Sequence, residues 1–248
     1  EDKTFTGEHS KQLETYKAEA EKRCSVDGFN LACAYVKTGS ETRKTLDIIR
    51  NKGFHVVERK ELIQTIIPYK QLGNNILSDF VDYLEELQHQ HDSFEFLPVK
   101  DWHWFSWVGF FQFIESQRTI NMWHRVNNQA GGFWNLSLNW EYWNDIPLYM
   151  QIEERKICFK IAANEIETNI DTSQTNVSSI QDLVLKKLLE YASDRSELRI
   201  KRPYPYVHRG AYRTFAVVYQ DDWLKTNDNI IDKEKTLDSL NSLIDVFS

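Results

Sequence analysis

Apolar and polar positions alternate with a helical period over residues 11–23, which places Leu13, Tyr16 and Ala20 on an inward face and makes Ser10 the cap. Ahead of it, residues 1–5 read as the end of a strand, and Thr6 to Ser10 as a turn. Asn30 to Lys37, with the apolar run Leu31 to Val36 inside it, reads as a buried strand, Ser40 to Asn51 as a short helix, and Phe54 to Val57 as a second strand stopped by Glu58-Arg59-Lys60. A helix from Glu61 ends near Pro68. Strand, helix, strand, helix and strand in this order predict an α/β layer whose connections cross one face.

The pattern changes after about residue 70. Residues 73–91 carry Ile76, Leu77, Phe80, Val81, Leu84 and Leu87 on one helical stripe. The stretch 101–118 is apolar all round and predicts a helix buried on several sides. Trp134, Leu136, Leu138, Trp140 and Tyr142 alternate with Asn135, Ser137, Asn139 and Glu141, the mark of a half-buried strand. Leu148 to Ile152 and Ile157 to Ile161 form a hairpin around Glu153-Glu154-Arg155-Lys156; residues 178–192 form a helix, 212–219 a strand and 233–247 a closing helix. The expected division is an α/β part over residues 1–70 and an aromatic-rich α+β region over 71–248.

Composition agrees with two well-packed parts. The 248 residues are 41% hydrophobic and 27% charged, with eight Trp, eleven Tyr and fourteen Phe against nine Gly and five Pro, so broad packed surfaces outweigh flexible joints. A net charge of −7 excludes nucleic-acid binding by overall electrostatics and leaves only a local basic face for it. Cys24, Cys33 and Cys158 have no metal-ligand spacing and read as reduced, buried thiols of a cytoplasmic protein. No stretch approaches the ~18 uninterrupted apolar residues of a membrane span.

Candidate chemistry sits at the first residues. On a strand, Glu1 and Lys3 share one face and Asp2 takes the other, while Gln12 and Tyr16, four apart, share a helix face. A carboxylate binds a hard divalent cation through oxygen, and a neighbouring lysine can hold a water beside it. Together these four residues make half of a metal-dependent hydrolytic site.

The ordered set of Glu1-Asp2-Lys3, the run Glu8-His9-Ser10-Lys11-Gln12-Leu13-Glu14-Thr15-Tyr16 that leads into the helix, and the apolar strand Leu31 to Val36 resembles the second half of the PD-(D/E)xK nuclease core. Its Gln-x-x-x-Tyr helix is similar to that of the RecB-like branch. The resemblance covers about the first quarter of the chain, to Tyr69. It implies a restriction-endonuclease-like core, here partial, with a mixed sheet flanked by helices, and a divalent-metal-dependent nuclease acting on DNA. In that picture Glu1 is a metal ligand for Mg²⁺ or Mn²⁺, the backbone carbonyl of Asp2 a second, and Lys3 orients the attacking water. Gln12 and Tyr16 position the site or touch the DNA backbone. The resemblance also implies an acidic residue on the preceding strand, so a piece of a longer protein is expected. The competing expectation is a non-catalytic binding module on a degenerate nuclease-like scaffold.

Other constellations have plainer readings. His89 and His91, followed by Asp92, fit a solvated helix end better than a zinc site. His103 and His124 fall in aromatic stretches as hydrogen-bonded core or edge residues. The pair Gly131-Gly132 fits a hairpin turn, since no Lys-Ser/Thr helix follows as a phosphate loop needs. The aromatic run from Trp102 to Phe113 suits core packing more than base stacking. Arg199, Lys201, Arg202, His208, Arg209 and Arg213, interleaved with Tyr204, Tyr206 and Tyr212, form the best basic-aromatic cluster, read either as a nucleic-acid contact or as a solvated, proline-broken loop.

Overall fold

The computed structural model describes residues 11–127, 131–169 and 176–247. The chain is mixed α/β and divides into two compact units, one ending at Ser93 and one beginning at Phe94. None of the helices among the described residues is long and apolar enough to cross a membrane.

The first unit runs α1 (Gln12–Asp27), β1 (Ala34–Lys37), α2 (Arg43–Asn51), β2 (His55–Glu58), α3 (Arg59–Ile66), a 3-10 segment (Ile67–Leu72) and α4 (Asn75–Asp92). Strands β1 and β2 are parallel, from Ala34↔His55 to Lys37↔Glu58. Parallel neighbours need a crossover, and α2 supplies it. Thr42 starts that helix by accepting a hydrogen bond from the Thr45 amide at 3.2 Å. Leu13, Tyr35, Leu46, Ile49, Phe54 and Val56 close the core. The buried strand expected over Asn30 to Lys37 shortens to four residues because its only strand partner among the described residues is four residues long.

Two contacts fix α1 against the end of α2. The Lys17 ammonium donates to the Lys52 carbonyl at 2.9 Å, and Lys52 pairs with Glu14 at 3.0 Å. A cation at a helix C-terminus meets unpaired carbonyls and the negative end of the helix dipole. Gly53 turns the chain there with φ +84°, and an added Cβ would stand 2.6 Å from the Lys17 nitrogen. The inward face expected for α1 is narrower than its spacing suggests, since Leu13 is its one buried residue and Tyr16 is 54% exposed. Ser10 lies outside the described residues, and Lys11 occupies the cap position without a side-chain bond.

The boundary expected near residue 70 falls instead after α4. That helix packs on α3, where the buried Arg59 guanidinium donates to Gln88 Oε1 at 3.0 Å and to the Thr38 carbonyl at 2.7 Å. Lys70 also pairs with Asp82 and Glu85 of α4. Interactions of this kind, invisible to hydrophobic periodicity, tie residues 75–92 to the first unit.

The second unit contains α5 (Trp104–Gln117), β3 (Met122–Val126), β4 (Phe133–Trp143), β5 (Ile146–Glu153), β6 (Lys156–Ala162), α6 (Ala163–Asn169), α7 (Val177–Ser193), β7 (Tyr212–Tyr219), the short α8 (Gln220–Trp223), the small hairpin β8 (Thr226–Asn227) and β9 (Ile230–Ile231), and α9 (Lys233–Ile244). Strands β3 to β7 form one antiparallel sheet in sequence order. Between β4 and β5 the turn is Asn144-Asp145, both at positive φ, as a tight hairpin requires. Strands β3 and β4 pair antiparallel from Met122↔Ser137 to Val126↔Phe133, and Gly132 permits the close approach to β3, because a Cβ there would collide with the Val126 carbonyl.

The apolar segment expected to be a covered helix is α5. Phe110 and Phe111 are fully buried, and Phe110 packs against the rings of Trp102 at 5.3 Å and of Phe94 and Trp223 at 6.1 Å. The inner sheet face contributes Leu136, Leu148, Met150, Ile152 and Phe159 to the same core. Aromatic pairs at these distances add to the free energy of burial. Phe110→Ala is therefore expected to lower the stability of the second unit by ~3–5 kcal/mol in chemical denaturation; a loss below ~1 kcal/mol would contradict this packing.

Candidate functional site

The candidate residues Glu1, Asp2 and Lys3 lie outside the described residues, as does His9. Gln12 and Tyr16 lie on α1, and the structure brings their side chains together: Gln12 Nε2 donates to the Tyr16 phenolic oxygen at 2.9 Å. One helical turn sets the spacing, and the contact fixes the phenol while leaving its own O–H directed elsewhere. The pair is solvent-facing and stands on the part of α1 that Lys17 and Glu14 anchor beside Lys52, at the end of the sheet where β2 begins.

A second polar cluster occupies the opposite end, where β1 and β2 terminate. Lys37, Thr38 and Arg59 are all buried there, with Glu41 3.7 Å from the Lys37 ammonium. Burial lowers the Arg59 pKa, offset in part by Asp92 and Tyr83. His91 is buried, not solvated as expected, because α4 turns it toward this cluster; its Nδ1 stands 2.8 Å from Asp92 Oδ1. Sequence spacing gave no signal for Arg59, which follows a strand as an ordinary charged stop. The cluster joins α3, α4 and the sheet and is structural.

In the second unit, Glu153 is drawn to Lys160 at 2.6 Å and Lys156 at 3.0 Å across β5 and β6. Burial alone would raise its pKa, but the two lysines outweigh it and hold the carboxyl below its ordinary value. Burial pushes the neighbouring Cys158 thiol up to about 12, so it stays protonated and unreactive. Cys24 and Cys33 are free thiols that are only half-buried, not buried as expected.

His103 begins α5 through a capping box in which its backbone N–H donates to Ser106 Oγ at 3.3 Å. His124 sits on β3, where Asn135 Nδ2 approaches its ring at 3.3 Å. The basic-aromatic segment is held at both ends: Lys201 exchanges two 2.9 Å backbone hydrogen bonds with Val217, and the buried Gln181 amide donates to the Val207 and Thr214 carbonyls at 3.1 Å each. Gln181 had no sequence signal beyond its place on an amphipathic helix.

Among the described residues, no group of three or more His, Cys, Asp or Glu side chains is placed to hold a metal ion. Comparison of the chain with protein-family models, curated proteins and solved structures finds no match.

The Asp92 carboxyl supplies a pH test of the α3–α4 junction. Burial raises its pKa, but hydrogen bonds from His91 and Gln88 and the charges of His91 and Lys60 bring it down to about 2 from an ordinary 3.8. A depressed folded-state pKa contributes stability above the unfolded value and loses it as pH falls through the folded one. The melting temperature of the first unit should therefore drop between pH ~4 and ~2, with a smaller drop in Asp92→Asn. Identical pH profiles in the two proteins would exclude this role.

Proposed function

We propose that this chain belongs to a divalent-metal-dependent nuclease that hydrolyses DNA phosphodiester bonds, with a PD-(D/E)xK site of the RecB-like kind on a restriction-endonuclease-like core in the first unit. The observation that carries the reading is the Gln12–Tyr16 hydrogen bond on α1. A Gln-x-x-x-Tyr helix follows Glu1-Asp2-Lys3 in sequence and leads into the parallel β1–α2–β2 unit, the order that the resemblance implies.

The resemblance places the donor set on the Glu1 carboxylate, the Asp2 backbone carbonyl and an acidic residue on the preceding strand. Mg²⁺ or Mn²⁺ bound there would polarise the phosphoryl oxygen. Lys3 holds the attacking water and stabilises charge developing on the phosphate. Tyr16, its oxygen already accepting from Gln12, presents its proton to the DNA backbone. The alternative reading keeps the same scaffold as a binding module without a working site.

Cleavage of plasmid DNA in Mg²⁺ by the full-length gene product tests the proposal. Loss of one preorganised donor at a developing oxyanion costs ~10²–10³ in rate, so Lys3→Ala should cleave that much more slowly at an unchanged melting temperature. Tyr16→Phe should also slow cleavage, with a stability change within ~0.5 kcal/mol because the phenol faces solvent. Full cleavage by Lys3→Ala, or none by the parent with any divalent ion, would sink the catalytic reading and favour the binding module.

A further inference from the structure

We propose that the loop between Lys201 and β7 in the second unit is a docking surface for single-stranded nucleic acid, with Tyr204 as the base-stacking ring and Arg202 and Arg209 as phosphate contacts. In a chain of net charge −7, the segment from Arg199 to Gln220 holds five Lys or Arg and no Asp or Glu. Such a local reversal of sign recruits a polyanion even to an acidic protein.

The shape of the loop narrows the polyanion to one with unpaired bases. Tyr204 is 95% exposed, an aromatic ring with almost no protein cover. Pro203 and Pro205 flank it and restrict the backbone on either side. Buried Leu198 and Ile200, the Lys201–Val217 bridge and the two Gln181 hydrogen bonds anchor the loop ends. The ring is therefore held out on a fixed support, and ordering the loop is not a cost of binding. Every base has a face that stacks on such a ring, whereas a closed duplex offers none along its length.

The cations are arranged to match. The Arg202 guanidinium lies 4.0 Å over the Tyr206 ring, which orients its donors, and its nearest carboxylate oxygen, on Asp182, is 4.0 Å away. Arg199 and Arg209 are exposed and have no carboxylate partner among the described residues. Lys201 is different, because Asp222 at 3.1 Å neutralises it. Arginines on both sides of an exposed tyrosine give a phosphate, base, phosphate sequence of contacts.

The test is fluorescence anisotropy of the full chain with a labelled oligothymidylate in EDTA, so that binding is read without cleavage and independently of the nuclease reading. Tyr204→Ala should weaken oligothymidylate binding by about 5- to 150-fold, the range for one lost base stack, and leave an abasic strand of the same length unaffected. Tyr204→Phe, which keeps the ring, should bind like the parent. Arg202→Ala/Arg209→Ala should weaken both strands and reduce the slope of log affinity against log salt by about 1.4, roughly 0.7 for each phosphate contact. Melting temperatures of all variants should match the parent, since the replaced groups face solvent. Equal oligothymidylate binding by parent, Tyr204→Ala and Arg202→Ala/Arg209→Ala would overturn the proposal, as would tighter binding of a duplex, or of inorganic polyphosphate, than of the single strand.

Discussion

A helix as apolar as Trp104–Gln117 cannot stand in water, and the architecture of the second unit follows from covering it. Helices normally bury one stripe, but α5 has Trp107, Val108, Phe110, Phe111 and Ile114 all inside, which calls for partners on several sides. The inner face of the sheet provides one; the rings of Phe94, Trp102 and Trp223 provide others. With apolar side chains committed to this core, polar chemistry is displaced to the strand ends and the long connections. The Arg199–Ala211 segment is such a connection, and Gln181, a buried amide that donates to the Val207 and Thr214 carbonyls, keeps it in place.

The first unit is built on a smaller scale and relies more on polar anchors. Its sheet has two four-residue strands among the described residues, so the apolar core is modest and side-chain donors meet the backbone at both ends. Lys17 and Gly53 close one end, and Arg59, with Gln88 and Thr38, the other. The Gln12–Tyr16 pair belongs to the first end and the buried Lys37–Thr38–Arg59 cluster to the second. These are separate constellations, one offered to solvent and one consumed by packing.

Much of this was legible in the sequence where periodicity was strong. The all-apolar α5, the existence of β4, the β5–β6 hairpin and the α2 crossover each follow from spacing alone. The alternation expected through Tyr142, by contrast, breaks after Leu138, where a bulge shifts the register and leaves Tyr142 63% exposed. Strand β3 was not anticipated, because Met122–Val126 is a short edge strand in which His124 and Arg125 break the apolar pattern. The sequence reads Arg59 only as a charged stop after a strand and His91 as part of a solvated helix end; both are buried, with hydrogen bonds that no spacing rule reports. Tyr16 was placed inward by its period, yet it faces solvent with Gln12, a position that suits a functional group better than a core residue. The Gln12–Tyr16 contact itself is foreseeable from their separation of four, whereas Glu1, Asp2 and Lys3 lie outside the described residues.

The central claim, a divalent cation held next to the start of α1, is tested most directly by Mn²⁺ titration of the full-length protein followed by NMR line broadening. The account predicts that the Gln12 side-chain amide and the backbone amides of the first turn of α1 broaden first, at Mn²⁺ concentrations that leave the second unit sharp, and that Mg²⁺ reverses the effect. Broadening that begins elsewhere, or none near Gln12 at saturating Mn²⁺, would contradict it.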